Sequence, residues 1–180
     1  MIIETDELLF RSWQDSDAKE LYEIAKSPLV GPPAGFDIHE SVEHSLGFIN
    51  KCWYTENDFA VVRKSDDVII GGASIMIGKR SLLNLPEDEA ELGYWLGESF
   101  WNKGYATKIL RQLTDFSFSR LSCSKLWCGY YEGNEASRRV QEKCGYKYQF
   151  TIDDMFYDVK GYPSIIVEHF TAVSRFDRPV

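Results

Sequence analysis

A glycine-containing turn that joins an apolar segment to a helical pattern is the part of this sequence best suited to chemistry. The apolar segment is ELGYWLG at residues 91–97, and the turn WNKGYAT follows at residues 101–107. Small residues at Gly104 and Ala106 let a ligand approach the backbone closely. The N–H groups of the first helical turn, at the positive end of the helix dipole, favour an anion there. The pattern therefore predicts an anion site, and the anion we expect is a pyrophosphate.

A second motif, NEASRRVQEKCGY, occupies residues 134–146. Asn134 belongs to the residue types that cap helices, and Gly145 suits the left-handed position that commonly ends one. Together, the two motifs resemble the GNAT acetyltransferase superfamily, and within it the branch that contains the ribosomal-protein N-terminal acetyltransferases. The resemblance covers most of the chain, from LLFRSW at residues 8–13 to the last strands, in family order.

This resemblance implies an α/β chain with the GNAT acyl-CoA N-acyltransferase fold. The fold has a mixed, mostly antiparallel sheet with a central pair of parallel, splayed strands, and helices flank the sheet. Acetyl-CoA is then expected between the strand that ends at Leu96 and the parallel strand that ends near Tyr131. Strands that splay leave backbone groups unpaired, and the amides of the pantetheine arm can pair with them as an added strand would.

The resemblance also assigns cofactor-binding residues from the two motifs. Trp101 stands where many GNAT proteins carry Gln or Arg. The backbone cradle, meaning the N–H groups of residues 104–107 that face the anion, does not depend on that side chain. Lys103 is expected to place a cation near the phosphates, and Asn134 to contact the pantetheine arm. The full predicted set is Tyr94, Trp95, Leu96, Trp101, Asn102, Lys103, Gly104, Tyr105, Ala106, Thr107, Asn134 and Ser137.

Acetyl transfer from a thioester to an amine requires a neutral amine, correct placement and stabilisation of an oxyanion. Glu91 lies where the family's strand often carries the base that takes the amine's proton. The familiar general acid of the superfamily is a tyrosine in the helix after the asparagine, and Val140 stands at that position here. Ser137 is the nearest substitute, so its hydroxyl is predicted to donate to the departing thiolate.

The acceptor side is less sharply defined. Alternation along a strand places Glu89 on the same face as Glu91, where two carboxylates would hold a cationic amine. Aromatic residues in segments that usually flank the acceptor either frame an amine or simply pack in the core. These residues are Phe36, Trp53, Tyr157 and Tyr162.

These residues depend on the strands and helices that position them. A strand, a helix and another strand in succession over residues 89–131 predict a right-handed crossover between two parallel neighbours. Alternation predicts the strands, and a spacing of 3.6 residues predicts the helices. The predicted strands are 8–13, 59–63, 68–77, 89–96, 125–131, 146–151 and 165–171, and the predicted helices are 18–25, one around 42–49, 104–121 and 134–143.

Composition and charge narrow the class of protein. The chain has 180 residues, 44% of them hydrophobic, which suits a single domain over residues 1–180. Its net charge of −8 argues against a nucleic-acid surface and is compatible with a cationic substrate. No apolar run approaches the roughly 20 residues that span a bilayer and no signal peptide is evident, so a cytoplasmic protein without a membrane partner is expected. The four cysteines and three histidines lack a metal-ligand spacing, so no metal is expected.

The predicted function is transfer of an acetyl group from acetyl-CoA to a primary amine by direct attack in a ternary complex. The amine is either a protein N-terminal α-amino group or a small molecule, and the protein is either a monomer or a homodimer. An alternative is a GNAT-fold module that holds acyl-CoA as a sensor without turnover, because the tyrosine acid is missing. A structural protein without a ligand would not explain why a cradle turn and an Asn-x-x-Ser helix start occur in family order.

Overall fold

The computed structural model of the protein describes residues 1–52, 57–160 and 163–177. Within these residues the chain forms eight strands and four α-helices. The strands are β1 (Ile3–Glu4), β2 (Leu8–Ser12), β3 (Asp58–Arg63), β4 (Val68–Ile77), β5 (Glu89–Leu96), β6 (Lys125–Tyr131), β7 (Lys147–Phe156) and β8 (Ile165–Ser174); the helices are α1 (Ala18–Ala25), α2 (Val42–Cys52), α3 (Tyr105–Arg120) and α4 (Glu135–Lys143).

The strands form one mixed sheet in the order β1-β2-β3-β4-β5-β6-β8-β7. Strands β5 and β6 are parallel, whereas β1 to β4 and the group β6, β8, β7 pair in antiparallel fashion. The parallel pair brackets α3, as the predicted crossover requires. The predicted fold class is therefore confirmed.

One compact unit of the chain comprises Met1–Ser74 and Tyr94–Lys103, with a segment that starts at Asp158. Its core forms where the apolar faces of α1 and α2 meet residues of β3 and β4, as the helical spacing predicted. The buried cluster consists of Trp13, Ala18, Leu21, Ala25, Ile49, Ala60, Val62 and Ile69.

A buried ion pair fixes the approach to α1 in this unit. Arg11 on β2 donates to both carboxylate oxygens of Asp17, at 2.6 and 2.9 Å. Asp17 also accepts the backbone N–H of Gln14 at 2.9 Å, and its side chain is only 6% exposed. The bidentate geometry and the backbone contact together compensate the carboxylate for loss of water.

The second unit comprises Ile75–Gly93, Gly104–Tyr157 and the segment from Pro163. Its helix α3 buries one apolar side, and α4 follows β6 after a short turn. A buried hydrogen bond of 2.8 Å joins Thr114 on α3 to the Tyr146 hydroxyl just after α4. The buried side chains of this unit include Leu92, Ile109, Leu110, Leu113, Leu126 and Phe170.

The element boundaries agree with the sequence prediction except at the two ends of the chain. Strand β1 was not predicted, because two residues are too short to show alternation. Strands β7 and β8 extend to Phe156 and Ser174, beyond the predicted ends at 151 and 171. They pair along a hairpin whose register shifts twice, and most of β7 is exposed, so the apolar alternation that would reveal its length is missing.

We expect the Arg11–Asp17 pair to contribute far more to stability than a surface pair of the same geometry. Asp17→Ala leaves a partly buried guanidinium without its partner and should lower the free energy of unfolding by about 3 kcal/mol. Asp66→Ala is the matched control, because Asp66 also accepts two bonds from one arginine but is 44% exposed. Urea unfolding measures both, and equal losses would contradict the prediction.

Candidate active site

Helix α3 begins at a left-handed glycine that cannot cap it. Gly104 has φ of +82° and, having no side chain, provides no side-chain cap. The first helical bond runs from the Lys108 N–H to the Gly104 carbonyl at 3.2 Å, so the amides of Tyr105, Ala106 and Thr107 precede the intrahelical ladder. A Cβ built at Gly104 would meet nothing within 4 Å. The first turn of α3 therefore presents N–H groups beside open space.

The side chains just before Gly104 make local contacts in the first unit. Trp101 donates its indole N–H to the Leu96 carbonyl at 2.9 Å. The Lys103 ammonium donates to the Ser99 carbonyl at 2.7 Å. Lys103 was predicted to place a cation near the phosphates, and in this structure its ammonium lies on the preceding backbone turn.

Helix α4 starts differently, because its own sequence supplies the cap. The Asn134 side-chain oxygen accepts the Ser137 N–H at 3.1 Å, which confirms the predicted helix cap. One amide at the start of α4 is thereby satisfied within the protein. The contrast with α3 identifies the start of α3 as the better anion site of the two.

The Ser137 hydroxyl belongs to a hydrogen-bond network that sequence reasoning missed. Gln141, one turn further along α4, is fully buried and donates its side-chain amide to Ser137 Oγ at 3.1 Å and to the Gly129 carbonyl at 2.8 Å. Thr171 donates to Gln141 Oε1 at 2.7 Å. Because Gln141 donates to Ser137 Oγ, the hydroxyl hydrogen of Ser137 points away from Gln141. This orientation suits a hydrogen donor.

The parallel register between β5 and β6 is short. It covers Glu89 with Lys125, Ala90 with Leu126 and Glu91 with Trp127. Both strands continue past this register, β5 to Leu96 and β6 to Tyr131. Next to the last pair, the Cys128 thiol contacts the Leu92 carbonyl at 3.1 Å. A side chain thus takes the place of a ladder bond just where the splay was predicted.

The predicted base, Glu91, is buried and hydrogen-bonded. It is 5% exposed and accepts the Ser81 hydroxyl at 2.6 Å. Burial raises the pKa of Glu91, and the bonds from Ser81 and the Leu82 backbone work in the opposite direction. Glu89, the other predicted carboxylate, is half-buried and accepts the Trp127 indole N–H at 2.5 Å.

A second buried carboxyl, Glu168 on β8, was not predicted. It is 6% exposed, and within the described residues its Oε2 atom has no hydrogen-bond partner. A Cβ at Gly129 would overlap Oε1 of Glu168, so this glycine makes room for the carboxyl. Burial, with a smaller effect of the Glu91 charge, raises the pKa of Glu168 to about 8.

The predicted acceptor-side aromatics fall into different places. Phe36 packs against Trp95 and Phe48 in the first unit, with ring centroids 5.3 and 5.2 Å away. Tyr157 lies in the second unit with its ring 5.1 Å from that of Tyr131. Burial and the bond to Tyr157 both raise the pKa of the Tyr131 hydroxyl. Trp53 and Tyr162 lie outside the described residues.

Sequence signals for the missed residues differ in strength. Gln141 follows Ser137 by four residues and so shares its helix face, which a search for supporting side chains would detect. Glu168 interrupts the apolar strand sequence IIVEHFTA on the same face as Ile166 and Phe170. Ser81 lies in a loop whose sequence gives no periodic signal.

In the part of the chain that the structure describes, we find neither a disulfide among Cys123, Cys128 and Cys144 nor a cluster of metal-ligating residues. Cys123 and Cys128 are buried, Cys144 is half-buried, and all three are free thiols. No three His, Cys, Asp or Glu residues in the described ranges group as a metal site would require. None of the described helices combines the length and the apolar character needed to cross a bilayer.

Comparison with known proteins identifies the family. Residues 7–147 match the sequence profile of the acetyltransferase (GNAT) domain. The match spans well over half of the chain, so the protein belongs to the GNAT acetyltransferase family, as its motifs predicted. It is an acetyltransferase, and the family uses acetyl-CoA.

Curated relatives and several solved structures resemble this chain, the structures in fold. YoaA of Bacillus subtilis (strain 168), an uncharacterized N-acetyltransferase, is 26% identical over 161 residues, which are 87% of this chain and 88% of the relative. A GNAT-family acetyltransferase from Bacillus anthracis has a TM-score of 0.80 at 21% identity over 97% of this chain and 98% of its own. Spermidine N-acetyltransferase from Vibrio cholerae, solved with CoA and spermine, has a TM-score of 0.74 at 15% identity over 96% and 98%. Other matches carry the names of ribosomal-protein N-acetyltransferases, in line with the predicted branch.

We expect Glu168 to make the protein less stable as the pH rises. Its folded pKa of about 8 exceeds its ordinary value of 4.5, so between these values the folded state holds a proton that the unfolded state has lost. The free energy of unfolding should therefore fall as the pH rises through this window. Glu168→Gln should flatten the decrease, leaving the part due to Glu91, whereas Asp153→Asn on exposed β7 should not. Urea titrations across the window measure this, and an unchanged slope in Glu168→Gln would overturn it.

Proposed function

We propose that this protein transfers the acetyl group of acetyl-CoA to a primary amine by direct attack in a ternary complex. The start of α3 carries this proposal, because its uncapped amides beside Gly104 form a backbone cradle of the type a pyrophosphate needs. The cradle residues fit the cofactor in chemistry as well as in sequence. Acetyl-CoA, when bound there, supplies an acetyl thioester that is already activated toward amines.

In this proposal the backbone of Gly104, Tyr105, Ala106 and Thr107 binds the pyrophosphate. Trp101 supports the preceding turn through its bond to Leu96 rather than by touching phosphate. Lys103 contributes positive charge near the turn, at the cost of its bond to Ser99. The backbone of Tyr94, Trp95 and Leu96, together with the Asn134 amide, is assigned to the pantetheine arm.

Two side chains handle protons in the proposed reaction. Glu91 takes the proton of the acceptor amine, directly or through water, and its burial suits a base that works near neutral pH. Ser137 gives a proton to the departing thiolate, and Gln141 holds the hydroxyl in place by donating to its oxygen. The family resemblance of β5 and the missing tyrosine at Val140 led to the same pair of residues.

The proposed acceptor is a protein N-terminal α-amino group or a small-molecule amine. Proteins that share this fold include an enzyme solved with spermine and enzymes named for ribosomal proteins, so both classes belong in the first screen. The screen measures thiol release from acetyl-CoA with a panel of polyamines, amino acids and N-terminal peptides. If the chain binds acetyl-CoA but releases no thiol with any amine, it is instead a sensor module.

We expect Gly104→Ala to weaken acetyl-CoA binding by about tenfold or more, because its Cβ would enter the space assigned to the phosphates. Gly145→Ala is the matched control. Gly145 has φ of +87° and equally open surroundings, so both variants bear the same left-handed strain of about 1–2 kcal/mol. Calorimetry should show a loss of affinity in Gly104→Ala alone. Equal affinities in the two folded variants would remove the cradle assignment.

Ser137→Ala should lower kcat by about tenfold to a hundredfold while the affinity for acetyl-CoA changes little, because a donor to the leaving thiolate acts mainly in the transition state. Ser119→Ala, at an exposed helical serine, is the control and should keep full activity. Steady-state thiol release measured as acetyl-CoA is varied separates kcat from the affinity for acetyl-CoA. A kcat equal to that of the control would assign Ser137 to packing.

A further inference from the structure

Two buried carboxyl groups lie on one face of the sheet, on the strands that flank β6. Glu91 on β5 stands opposite Trp127, and Glu168 on β8 stands opposite Tyr131. Directly paired residues share a face, and residues two apart on β6 share that face as well. Gly129 lies midway between Trp127 and Tyr131, so both carboxyls border the same glycine gap.

The gap coincides with the end of the parallel ladder. The β5–β6 register ends at Glu91 and Trp127, two residues before Gly129. The Glu168 side chain packs against Gly129, because a Cβ at residue 129 would overlap the Oε1 atom of Glu168. The Glu168 carboxyl therefore lies beside Gly129. At this residue β6 has no β5 partner and no side chain of its own.

Glu168 lacks the partner that a buried carboxyl normally has. Its Oε2 atom is buried without a hydrogen bond in the described part of the chain, and no described lysine, arginine or histidine lies within ion-pair distance of it. The charge that affects it is another carboxylate, Glu91. Burying two acids together without a cation opposes folding, so such an arrangement indicates a site for a ligand that supplies the missing charge.

We propose that Glu168 and Glu91 form one carboxyl pair that binds the acceptor as its ammonium ion and receives its proton. This inference rests on the proposed acetyl transfer and adds to it the substrate form and a second carboxyl. The acceptor class is a primary amine that arrives protonated. Glu168 supplies the oxygen with an open position, while Glu91 is held in place by Ser81.

The proton balance follows from the pair. At neutral pH the free pair holds one proton, which belongs mainly to Glu168, and ammonium binding expels that proton to solvent. An N–H bond of the ammonium then breaks as an O–H bond forms on the pair. The amine lone pair attacks the thioester carbon, the C–S bond breaks, and the thiolate gains the second amine proton through Ser137. The pair then holds one proton again, as in the free protein, so the one proton released per turnover is the proton expelled when the ammonium binds.

Two other titratable groups that interact with the pair, Cys128 and Tyr131, stay neutral at neutral pH. Cys128, which interacts electrostatically with both Glu91 and Glu168, is fully buried, and burial raises the pKa of its thiol well above the ordinary value. Burial likewise raises the pKa of the Tyr131 hydroxyl, which the charges of Glu168 and Glu91 raise further. Neither this thiol nor this phenol therefore titrates at neutral pH.

Calorimetry with n-butylamine tests the ammonium site without turnover. The full chain, without acetyl-CoA, is titrated at neutral pH in two buffers of different ionisation enthalpy. The wild type should bind with release of about one proton. Glu168→Gln and Glu91→Gln should both bind about tenfold or more weakly, Glu168→Gln should release no proton, and Asp153→Asn should match the wild type. If the wild type binds n-butylamine no better than Glu168→Gln, the pair is not an ammonium site.

Acetylation of two amines tests the proton step. Trifluoroethylamine is a primary amine similar in kind to n-butylamine, but it is largely neutral at neutral pH. Glu168→Gln should reduce thiol release with n-butylamine by about a hundredfold and with trifluoroethylamine much less, because the neutral amine needs no base for its first proton. Equal losses with the two amines would assign Glu168 a structural role. Absence of thiol release with any amine in the wild type would refute the proposed transfer, while the calorimetric result would still decide the ammonium site.

Discussion

The short parallel ladder between β5 and β6 is the constraint on which the rest of this site depends. A ladder that stops after Glu91 and Trp127 leaves backbone groups of two adjacent strands without strand partners, and such groups must be satisfied by side chains, solvent or a ligand. One is satisfied by the Cys128 thiol. Because each of the two strands is followed in the chain by a helix, the same topology brings the starts of α3 and α4 to the carboxyl side of the parallel pair. The proposed anion site at the start of α3 and the proposed proton donor on α4 are therefore both positioned by one strand arrangement.

The starts of α3 and α4 differ in whether a side chain caps the helix. Asn134 satisfies an amide of α4 internally, which keeps Ser137 in a fixed place on the first turn. Gly104 leaves the amides of α3 available, and its left-handed conformation turns the chain sharply into the helix. An internal cap favours precise positioning of a side chain, whereas an uncapped start favours binding of an anion. A cap on α3 would compete with the proposed phosphate, and loss of the cap on α4 would loosen the Ser137 hydroxyl, the proposed proton donor.

Most of the fold was predictable from the sequence, because strong periodic signals define α3, β6 and the strands of the first unit. The cradle turn and the Asn134 cap could also be predicted, since glycine and asparagine have few alternative uses at such positions. What the sequence did not reveal are contacts between distant segments. The bond from Ser81 to Glu91 depends on how a loop returns over β5, and Glu168 becomes part of the site only because β8 pairs with β6. No local pattern contains that pairing, although an acid within an apolar strand is a signal worth following.

Buried polar groups in the second unit are of two kinds, those with hydrogen-bond partners and those without. The first kind supports the structure, and the second kind indicates a binding site. The Gln141 network is fully paired, with donors and acceptors matched between α4, β6 and β8, so it fixes geometry and has no unmet need for a ligand. Within the described residues the Oε2 atom of Glu168 has no hydrogen-bond partner and the side chain borders another acid, so the protein without ligand holds this carboxyl at a cost in free energy. A cation placed between the two acids would remove that cost, and the same stabilisation would add to its affinity. Since the amine must lose its proton before it can attack, a pair that binds the ammonium and accepts that proton joins substrate selection and activation in one group.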